Sequence, residues 1–333
     1  SGRIIGDTGA TLPATWLIRA PASLRVLSVV TPSTVFLGQT GIPVDVTVEN
    51  TGDKNAAGLW DSTALQFDLG SYLNIQPQSA FPLTIYAAQA STVRYLLEVD
   101  PLSATGPTNI DAWITYRDIN LMTPTNNFDG ALFPGQWTIV AGFVNTYKDG
   151  ARLIKAQSFN QGNYTVFAKA ENLAPLKEHR LRWYNPSGVQ VAFSDPAVQT
   201  TETGSVDGEF ELTPASPLGT WRVVGTRVFD TIPLCENTFE VVAPANLSLS
   251  IQAPTTVSLN STFIATMSFY NTGGALVLDA EPASISVVVG NTGTATYLSG
   301  PSPLRQNVAP GGCATFTYTF RADTTGQLQF QAS

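Results

Sequence analysis

The chain has 333 residues, of which 43% are hydrophobic and 13% are charged, with a formal net charge of −8. This length corresponds to roughly two or three domains, and the acidic balance argues against a basic nucleic-acid-binding surface. One histidine and two cysteines exclude zinc sites built from paired imidazoles or clustered thiolates. No apolar run approaches the roughly 18 residues of a membrane span.

Apolar and polar residues alternate along most of the chain. The alternation is clear at residues 44–49, 163–168 and 315–320, whereas no segment shows a convincing helical period. Proline and glycine interrupt the pattern at intervals of about ten residues, the spacing of short strands in sandwiches and barrels. The sequence therefore predicts an all-β chain.

An internal repeat relates the two ends of the chain. Residues 24–52 match residues 247–273, and both segments end in an Asn-Thr-Gly turn, at 50–52 and 271–273. We attribute the Asn and Gly of this turn to their tolerance of positive φ. Downstream, an alternating segment matches position by position: Val93, Tyr95, Leu97 and Asp100 correspond to Phe316, Tyr318, Phe320 and Asp323.

A different unit lies between the two copies. We expect three immunoglobulin-like sandwiches in an extended arrangement: an N-terminal extension at 1–21, a first sandwich at 22–119, a linker at 120–136, a second sandwich at 137–245 and a third at 246–333. The short Ala-Pro-Ala joint at 243–245 predicts a semi-rigid connection.

Charge is distributed unevenly among these units. Residues 1–137 carry 17 charged side chains, but residues 246–333 carry only five. The third unit therefore has a largely neutral surface. We regard that surface as the first place to look for a partner or a second copy of the chain.

These features resemble the tandem immunoglobulin-like modules of bacterial surface and secreted proteins. The outer units look like CARDB/DUF11-type repeats, on the basis of Pro32, Val35 and Leu37 and of the hairpin that ends in Asn-Thr-Gly. The middle unit looks like a macroglobulin-like module, and the matching residues are Pro186, Gly188, Gly208, Phe210, Gly219, Trp221 and Val223. The resemblance implies a modular stalk, spacer or assembly unit outside the cytoplasm.

Aromatic residues supply the candidate ligand site. Trp60 lies in a turn-like stretch and is the best candidate for an exposed aromatic. Trp183 is expected in the core of the middle unit, with the alternative of a sugar-binding platform beside Arg182 and Tyr184. His179 opens the same strand, and we expect it at the surface or at a strand edge.

No cofactor is expected, with calcium as the alternative. Its candidate ligands are Asp100, Asp118 and Asp129, although no local run of carboxylates supplies the six to eight oxygens that calcium needs. Cys235 and Cys313 fall in different units. Free thiols are the expectation, and a disulfide that joins the units is the alternative.

The sequence contains no convergent catalytic cluster, so we expect a protein that is not an enzyme. The leading hypothesis is a structural or adhesion segment of a larger surface or secreted protein, with other protein domains or copies of itself as partners. The alternatives are a self-assembling surface-layer or filament subunit and a carbohydrate-binding accessory region of a secreted glycosidase, for which a surface glycan is the partner.

Overall fold

A computed structural model describes residues 17–59, 64–80, 82–119, 124–127, 129–195, 197–198, 204–288 and 291–332. These residues form strands and no α-helix, so the predicted all-β sandwich class is confirmed. The strands are β1 (Leu24–Val30), β2 (Thr34–Phe36), β3 (Ile42–Asn50), β4 (Ala56–Leu59), β5 (Leu65–Phe67), β6 (Tyr72–Pro77), β7 (Leu83–Ile85), β8 (Ala90–Val99), β9 (Gly106–Ala112), β10 (Ile114–Asp118), β11 (Pro124–Asn127), β12 (Gly135–Val140), β13 (Phe143–Tyr147), β14 (Ser158–Asn160), β15 (Tyr164–Glu171), β16 (Glu178–Tyr184), β17 (Gln190–Phe193), β18 (Ala197–Val198), β19 (Ser205–Leu212), β20 (Gly219–Arg227), β21 (Cys235–Val242), β22 (Leu247–Gln252), β23 (Thr262–Asn271), β24 (Val277–Ala280), β25 (Ile285–Val287), β26 (Ala295–Ser302), β27 (Gln306–Val308), β28 (Cys313–Ala322) and β29 (Phe330–Ala332). No described residue belongs to a helix long and apolar enough to cross a bilayer.

The first module, residues 22–140, has one core shared by three sheets. Their strand orders are β1-β3-β8-β6, β2-β12-β9-β5 and β11-β10-β4-β7. Inward residues of β3 and β8 pair across the strands, with Ile42 opposite Leu97, Val44 opposite Tyr95 and Val46 opposite Val93. Burial of this alternating face is the main favourable term for the module.

Strand β12 belongs to the first module, which differs from the predicted boundaries at 119 and 137. It pairs antiparallel with β9 and parallel with β2. Trp137 is 1% exposed in the first core, where its Nε1 donates to Tyr72 Oη at 3.1 Å. The prolines and asparagines of 120–136 suggested a linker, but residues 124–127 form β11 and pair with β10. The division into separate domains stays a prediction.

The middle module, residues 143–242, packs the sheet β13-β15-β19 and a larger sheet around one core. The larger sheet has the order β14-β21-β20-β16-β17, with β18 also on β16. Four aromatic rings pack together in this core: Trp183, Phe210, Trp221 and Phe239.

The third module, residues 247–332, repeats the first sheet of the first module, but fewer strands pack against that sheet. Its strand order, β22-β23-β28-β26, and its register are the same: Phe263 pairs with Phe320, Ala265 with Tyr318 and Met267 with Phe316. In the described part of this module the remaining strands form only two pairs, β24-β27 and β25-β29. The buried cluster is correspondingly small.

The two Asn-Thr-Gly turns form the same hydrogen bonds. Asn50 Nδ2 donates to Lys54 O at 2.7 Å and to Ile85 O at 3.2 Å, and Asn271 Nδ2 donates to Ala275 O at 2.7 Å and to Val308 O at 3.1 Å. The predicted reason, positive φ, is wrong, because neither asparagine nor the glycine two residues later has a positive φ.

A polar side chain and a close backbone approach explain the turn instead. The buried Asn amide bonds two carbonyls, and its Oδ1 accepts from the glycine N at 3.0 Å in both copies. A Cβ on Gly52 would lie 2.1 Å from Pro21 O, and one on Gly273 would lie 2.1 Å from Pro244 O. Each turn therefore requires an asparagine at its first position, for the amide, and a glycine at its third position, where a Cβ would clash.

Candidate functional site

The described residues of the proposed aromatic platform pack and form hydrogen bonds within the middle module. Trp183 is completely buried, which agrees with the expected core position and not with the alternative of a sugar-binding surface. Arg182 Nε donates to Thr226 Oγ1 at 2.9 Å, and its other nitrogens reach Gln190 Oε1 and Asp230 O.

Tyr184 is half-buried, and the Arg222 guanidinium lies over its ring, 4.7 Å from the centroid. Trp60 lies outside the described residues. The structure therefore places the three described candidates on one strand, β16, but gives them structural partners rather than a shared binding face.

The calcium candidates serve separate local roles. Asp118 is buried, and its Oδ2 accepts from Ala22 N at 2.7 Å, which fixes the start of the first module. Asp100 accepts from Leu102 N at 2.9 Å within its own turn, and Asp129 is exposed. Within the described ranges no three His, Cys, Asp or Glu side chains group as metal ligands.

The two cysteines are free thiols, as expected, and the alternative, a disulfide between the modules, is absent from the structure. Cys235 is buried at the start of β21, where its Sγ would lie 2.6 Å from a Cβ placed on Gly225, whereas Cys313 is exposed at the start of β28. Burial raises the pKa of the Cys235 thiol to about 12, so its reactive thiolate is scarce at neutral pH.

We expect a thiol reagent to label one cysteine rapidly in the native protein and the second only after unfolding. Cys313 should react first, because its thiol is open to solvent whereas that of Cys235 is enclosed. Mass spectrometry of the labelled peptides identifies the site, and Cys313→Ser should abolish the rapid phase. Rapid labelling of both thiols, or of neither, contradicts this expectation.

His179 is buried, in contrast to the predicted surface or edge position. It is 1% exposed on β16, and its Nδ1 lies 3.1 Å from Lys177 O. Burial lowers the pKa of the imidazole below its ordinary 6.5 and outweighs the hydrogen bond with the Lys177 carbonyl, which raises it; the smaller effects of the Arg227 and Asp230 charges oppose each other. Burial disfavours the protonated ring, so His179 takes up a proton at a lower pH than a free imidazole does.

This pKa shift predicts a stability loss in mild acid. As the pH falls through 6.5 the unfolded chain takes up a proton on His179 while the folded chain does not, so unfolding becomes easier. The loss ends below the folded pKa. Urea unfolding at several pH values between 7.5 and 5 should show it, and His179→Gln should flatten the profile in that range. Parallel profiles for the two proteins contradict the assignment.

A cluster of charged and polar groups joins the first and middle modules. Arg227, at the end of β20, donates to Glu98 Oε1 of β8, and its Nε bonds Asp230 Oδ2 at 2.7 Å. Asn74 Nδ2 donates to the other Glu98 oxygen at 3.2 Å. Leu37 packs against both cores beside this cluster. We call these residues the joint cluster.

Sequence reasoning missed the joint cluster. Arg227 and Glu98 are 129 residues apart and lie in strands with unremarkable alternation. The only local indication is the Arg-x-x-Asp spacing of Arg227 and Asp230, which is common in surface turns.

The second joint, before the third module, is held by backbone contacts. Gly274 N donates to Ala243 O at 3.1 Å, and Thr272 Oγ1 donates to Asn246 O at 3.1 Å. The turn at 271–274 therefore forms hydrogen bonds with residues 243 and 246 of the connecting segment, and the semi-rigid connection stays a prediction.

An open slot runs along one side of the third module. It encloses about 580 Å³ between residues 253–259 and residues 324–330. Threonines and glutamines line it together with apolar side chains, which include Val257, Leu259, Phe263 and Phe330. None of its described lining residues is charged.

Comparison with known proteins finds no matching family model and no matching curated protein. The resemblance to CARDB/DUF11-type repeats therefore stays a prediction. Similar solved structures include a Corynebacterium diphtheriae protein assigned as membrane anchored, with 12% identity, coverage of 94% of this chain and 91% of that chain, and a TM-score of 0.29.

Two others are the C-terminal domain of the Streptococcus pyogenes antigen I/II-family protein AspA and an Escherichia coli alpha-2-macroglobulin activated by porcine elastase. The first has 7% identity over 67% of this chain and 99% of that chain, with a TM-score of 0.30. The second has 14% identity over 95% of this chain but only 32% of that chain, with a TM-score of 0.23. All three TM-scores are below 0.5, so the proposed function depends on the chain's own residues.

Proposed function

We propose that the chain is a non-catalytic structural segment of a bacterial surface or secreted protein, and that it sets the spacing and mutual orientation of its sandwich modules. The joint cluster is the observation that carries this proposal. A flexible tether needs no specific contact between modules. In this chain the Arg227 guanidinium, the Glu98 and Asp230 carboxylates and the Asn74 amide meet at one junction.

The joint cluster is sheltered enough to specify an orientation. The Arg227 and Glu98 side chains are only 23% and 12% exposed, so neither charge can lose its partner without a desolvation cost. Arg227 also donates to Gly38 O at 3.4 Å. A Cβ on Gly38 would lie 2.9 Å from Leu234 Cδ2, so the two modules approach closely here. Directional hydrogen bonds and close packing together favour one arrangement.

Small-angle scattering tests this role. Arg227→Ala should broaden the distribution of distances between the first two modules, because it removes the cation that pairs with Glu98 across the junction. The matched control is Arg222→Ala, which removes an exposed pair with Glu236 within the middle module and should leave the scattering unchanged. Identical curves for the wild type and Arg227→Ala, or a freely jointed wild type, would falsify the proposal.

The self-assembling subunit is a second candidate, and the low charge of the third unit, with five charged side chains in residues 246–333, favours it. Among the described candidates the carbohydrate-binding alternative has no such support, because Trp183 is buried and the Arg222 guanidinium lies over the Tyr184 ring. A polysaccharide pull-down distinguishes it: retention on a glycan resin that is lost in Tyr184→Ala would favour that alternative over a structural role.

A further inference from the structure

The four-stranded sheet of the third module has a different outer surface from the matching sheet of the first module. Two ion pairs cross the outward face of the first sheet: Arg94 to Asp45 at 2.7 Å and Arg25 to Glu49 at 2.8 Å. The two sheets share their strand order and register, so each of these positions has an equivalent on β22, β23 or β28. The outward faces can therefore be compared position by position.

Hydroxyl side chains replace these charges in the third module. The equivalent pairs are Thr317 with Thr266, in place of Arg94 with Asp45, and Ser248 with Tyr270, in place of Arg25 with Glu49. The outward side chains of β22, β23, β26 and β28 form a surface that we call the hydroxyl face. Within these described strands it carries a single charged residue, Arg321 at its margin, which is paired with Asp323 at 2.9 Å.

The hydroxyl face is suited to burial, whereas its counterpart in the first module is suited to water. Covering the first face with another surface would strip water from four charges, which is costly even when they are paired. Hydroxyls both donate and accept hydrogen bonds, so a neutral partner can replace the water that they lose. The hydroxyl face also offers apolar area, because Ile264 is 53% exposed and Tyr270 is 46% exposed on it.

Two copies of the hydroxyl face are complementary to each other. A two-fold contact places the same patch on both subunits, so each group must be compatible with its own kind, as hydroxyls are and like charges are not. The four strands have 6, 10, 8 and 10 residues. At about 4.8 Å between strands and about 3.3 Å per residue, they cover roughly 500 Å². Two such faces would bury about 1,000 Å², the lower limit for a specific interface, so the contact should be weak.

We propose that the hydroxyl face packs against the hydroxyl face of a second copy of the chain. The two sheets would lie about 10 Å apart, as in a sandwich, with Ile264 and Tyr270 of both copies in the contact. The third modules would then join two chains as a symmetric dimer. This inference adds a partner to the proposed structural role, and none of its residues belongs to the joint cluster.

Analytical ultracentrifugation of the 333-residue chain over a concentration series, with a reducing agent present, tests the proposal. The wild type should show a weak equilibrium between monomer and dimer. Thr315→Arg places a guanidinium on the hydroxyl face and should weaken the dimer by about 10- to 100-fold, because the charge would lose its water in the contact. The matched control is Thr92→Arg, the same change at the equivalent exposed position of the first module, and it should associate like the wild type.

A second variant guards against a folding defect in the first. Thr266→Asp combined with Thr317→Arg recreates the ion pair of the first module on the same two strands, so the third module should fold normally. This double variant should nevertheless dimerise less than the wild type, because its face now carries charges. Circular dichroism confirms that each variant is folded.

Cys313 gives a site-specific measurement of the same contact. It is exposed on the hydroxyl face, where it lies opposite Tyr270. Its labelling by a thiol reagent should slow as the protein concentration rises in the wild type and in Thr92→Arg, but not in Thr315→Arg. Labelling that slows equally in all three proteins would place the contact elsewhere and overturn the proposal.

The sedimentation results can also contradict the proposed dimer. A wild type that stays monomeric at the highest attainable concentration overturns it. So does a dimer that survives Thr315→Arg, or one that Thr92→Arg weakens to the same extent. The scattering test of Arg227→Ala can be repeated in the Thr315→Arg background, where the chain should be monomeric, so the joint cluster is tested separately.

Discussion

Replacing Asn50 with alanine is expected to lower the free energy of unfolding of the first module by roughly 3–5 kcal/mol. The side chain is fully buried and bonds four backbone groups: the carbonyls of Lys54 and Ile85 and the amides of Ser23 and Gly52. Alanine removes these partners, and each backbone group that stays buried without one costs about 1–3 kcal/mol. Hydrogen exchange of the β3 amides at increasing urea concentration measures the loss of unfolding free energy in this module separately from the other modules.

Two further variants sharpen this prediction. Asn50→Asp should be at least as damaging, because a carboxylate cannot donate to the two carbonyl oxygens and would oppose them with its charge. Asn126→Ala is the control: its Oδ1 accepts from Thr115 Oγ1 at an exposed position, and we expect a change within about 0.5 kcal/mol. Equal losses for Asn50→Ala and Asn126→Ala would contradict the role assigned to the buried amide.

The same substitution at Asn271 should weaken the third module by a similar mechanism. Its side chain is 1% exposed and makes the corresponding bonds to Ala275 O, Val308 O and Gly273 N. This turn also forms hydrogen bonds with the segment before the third module. Scattering of Asn271→Ala should therefore show a broader distribution of distances across the second joint. Asn50→Ala should leave that joint unchanged.

Strands and their inward faces could be predicted from the sequence because alternation is a local property. The matched positions Tyr95 and Tyr318 are both buried, as their place in the alternating segments indicates. The Asn-Thr-Gly turns were also found from sequence, but the reason was wrong. Sequence shows that an asparagine recurs, whereas only the structure shows which carbonyls its amide reaches.

Module membership and the joint cluster could not be predicted, because they depend on contacts between distant segments. Trp137 shows the alternation of a strand in either module, and its packing with Tyr72 decides which one. Arg227 resembles any strand-end cation until Glu98 is placed beside it. His179 was misplaced for the same reason: a single polar residue at a strand start carries no sign of burial.

The second large effect is expected in the core of the middle module. Trp183→Ala should cost about 3–5 kcal/mol, because it opens a cavity beside Phe210 and Phe239 in a region without solvent. Such a loss identifies Trp183 as a core residue. A sugar-binding tryptophan at the surface would cost little stability when removed.

Phenylalanine at the two buried tryptophans gives a finer comparison. Trp221 Nε1 donates to Pro217 O at 2.9 Å, whereas Trp183 Nε1 has no acceptor among the described residues. Trp183→Phe therefore removes a desolvated donor, which offsets part of the lost packing, while Trp221→Phe leaves the Pro217 carbonyl without its partner. We expect Trp221→Phe to be the more destabilising by about 1–3 kcal/mol in urea unfolding. The reverse order would mean that the Trp183 indole has a hydrogen-bonding role that the packing of this core does not reveal.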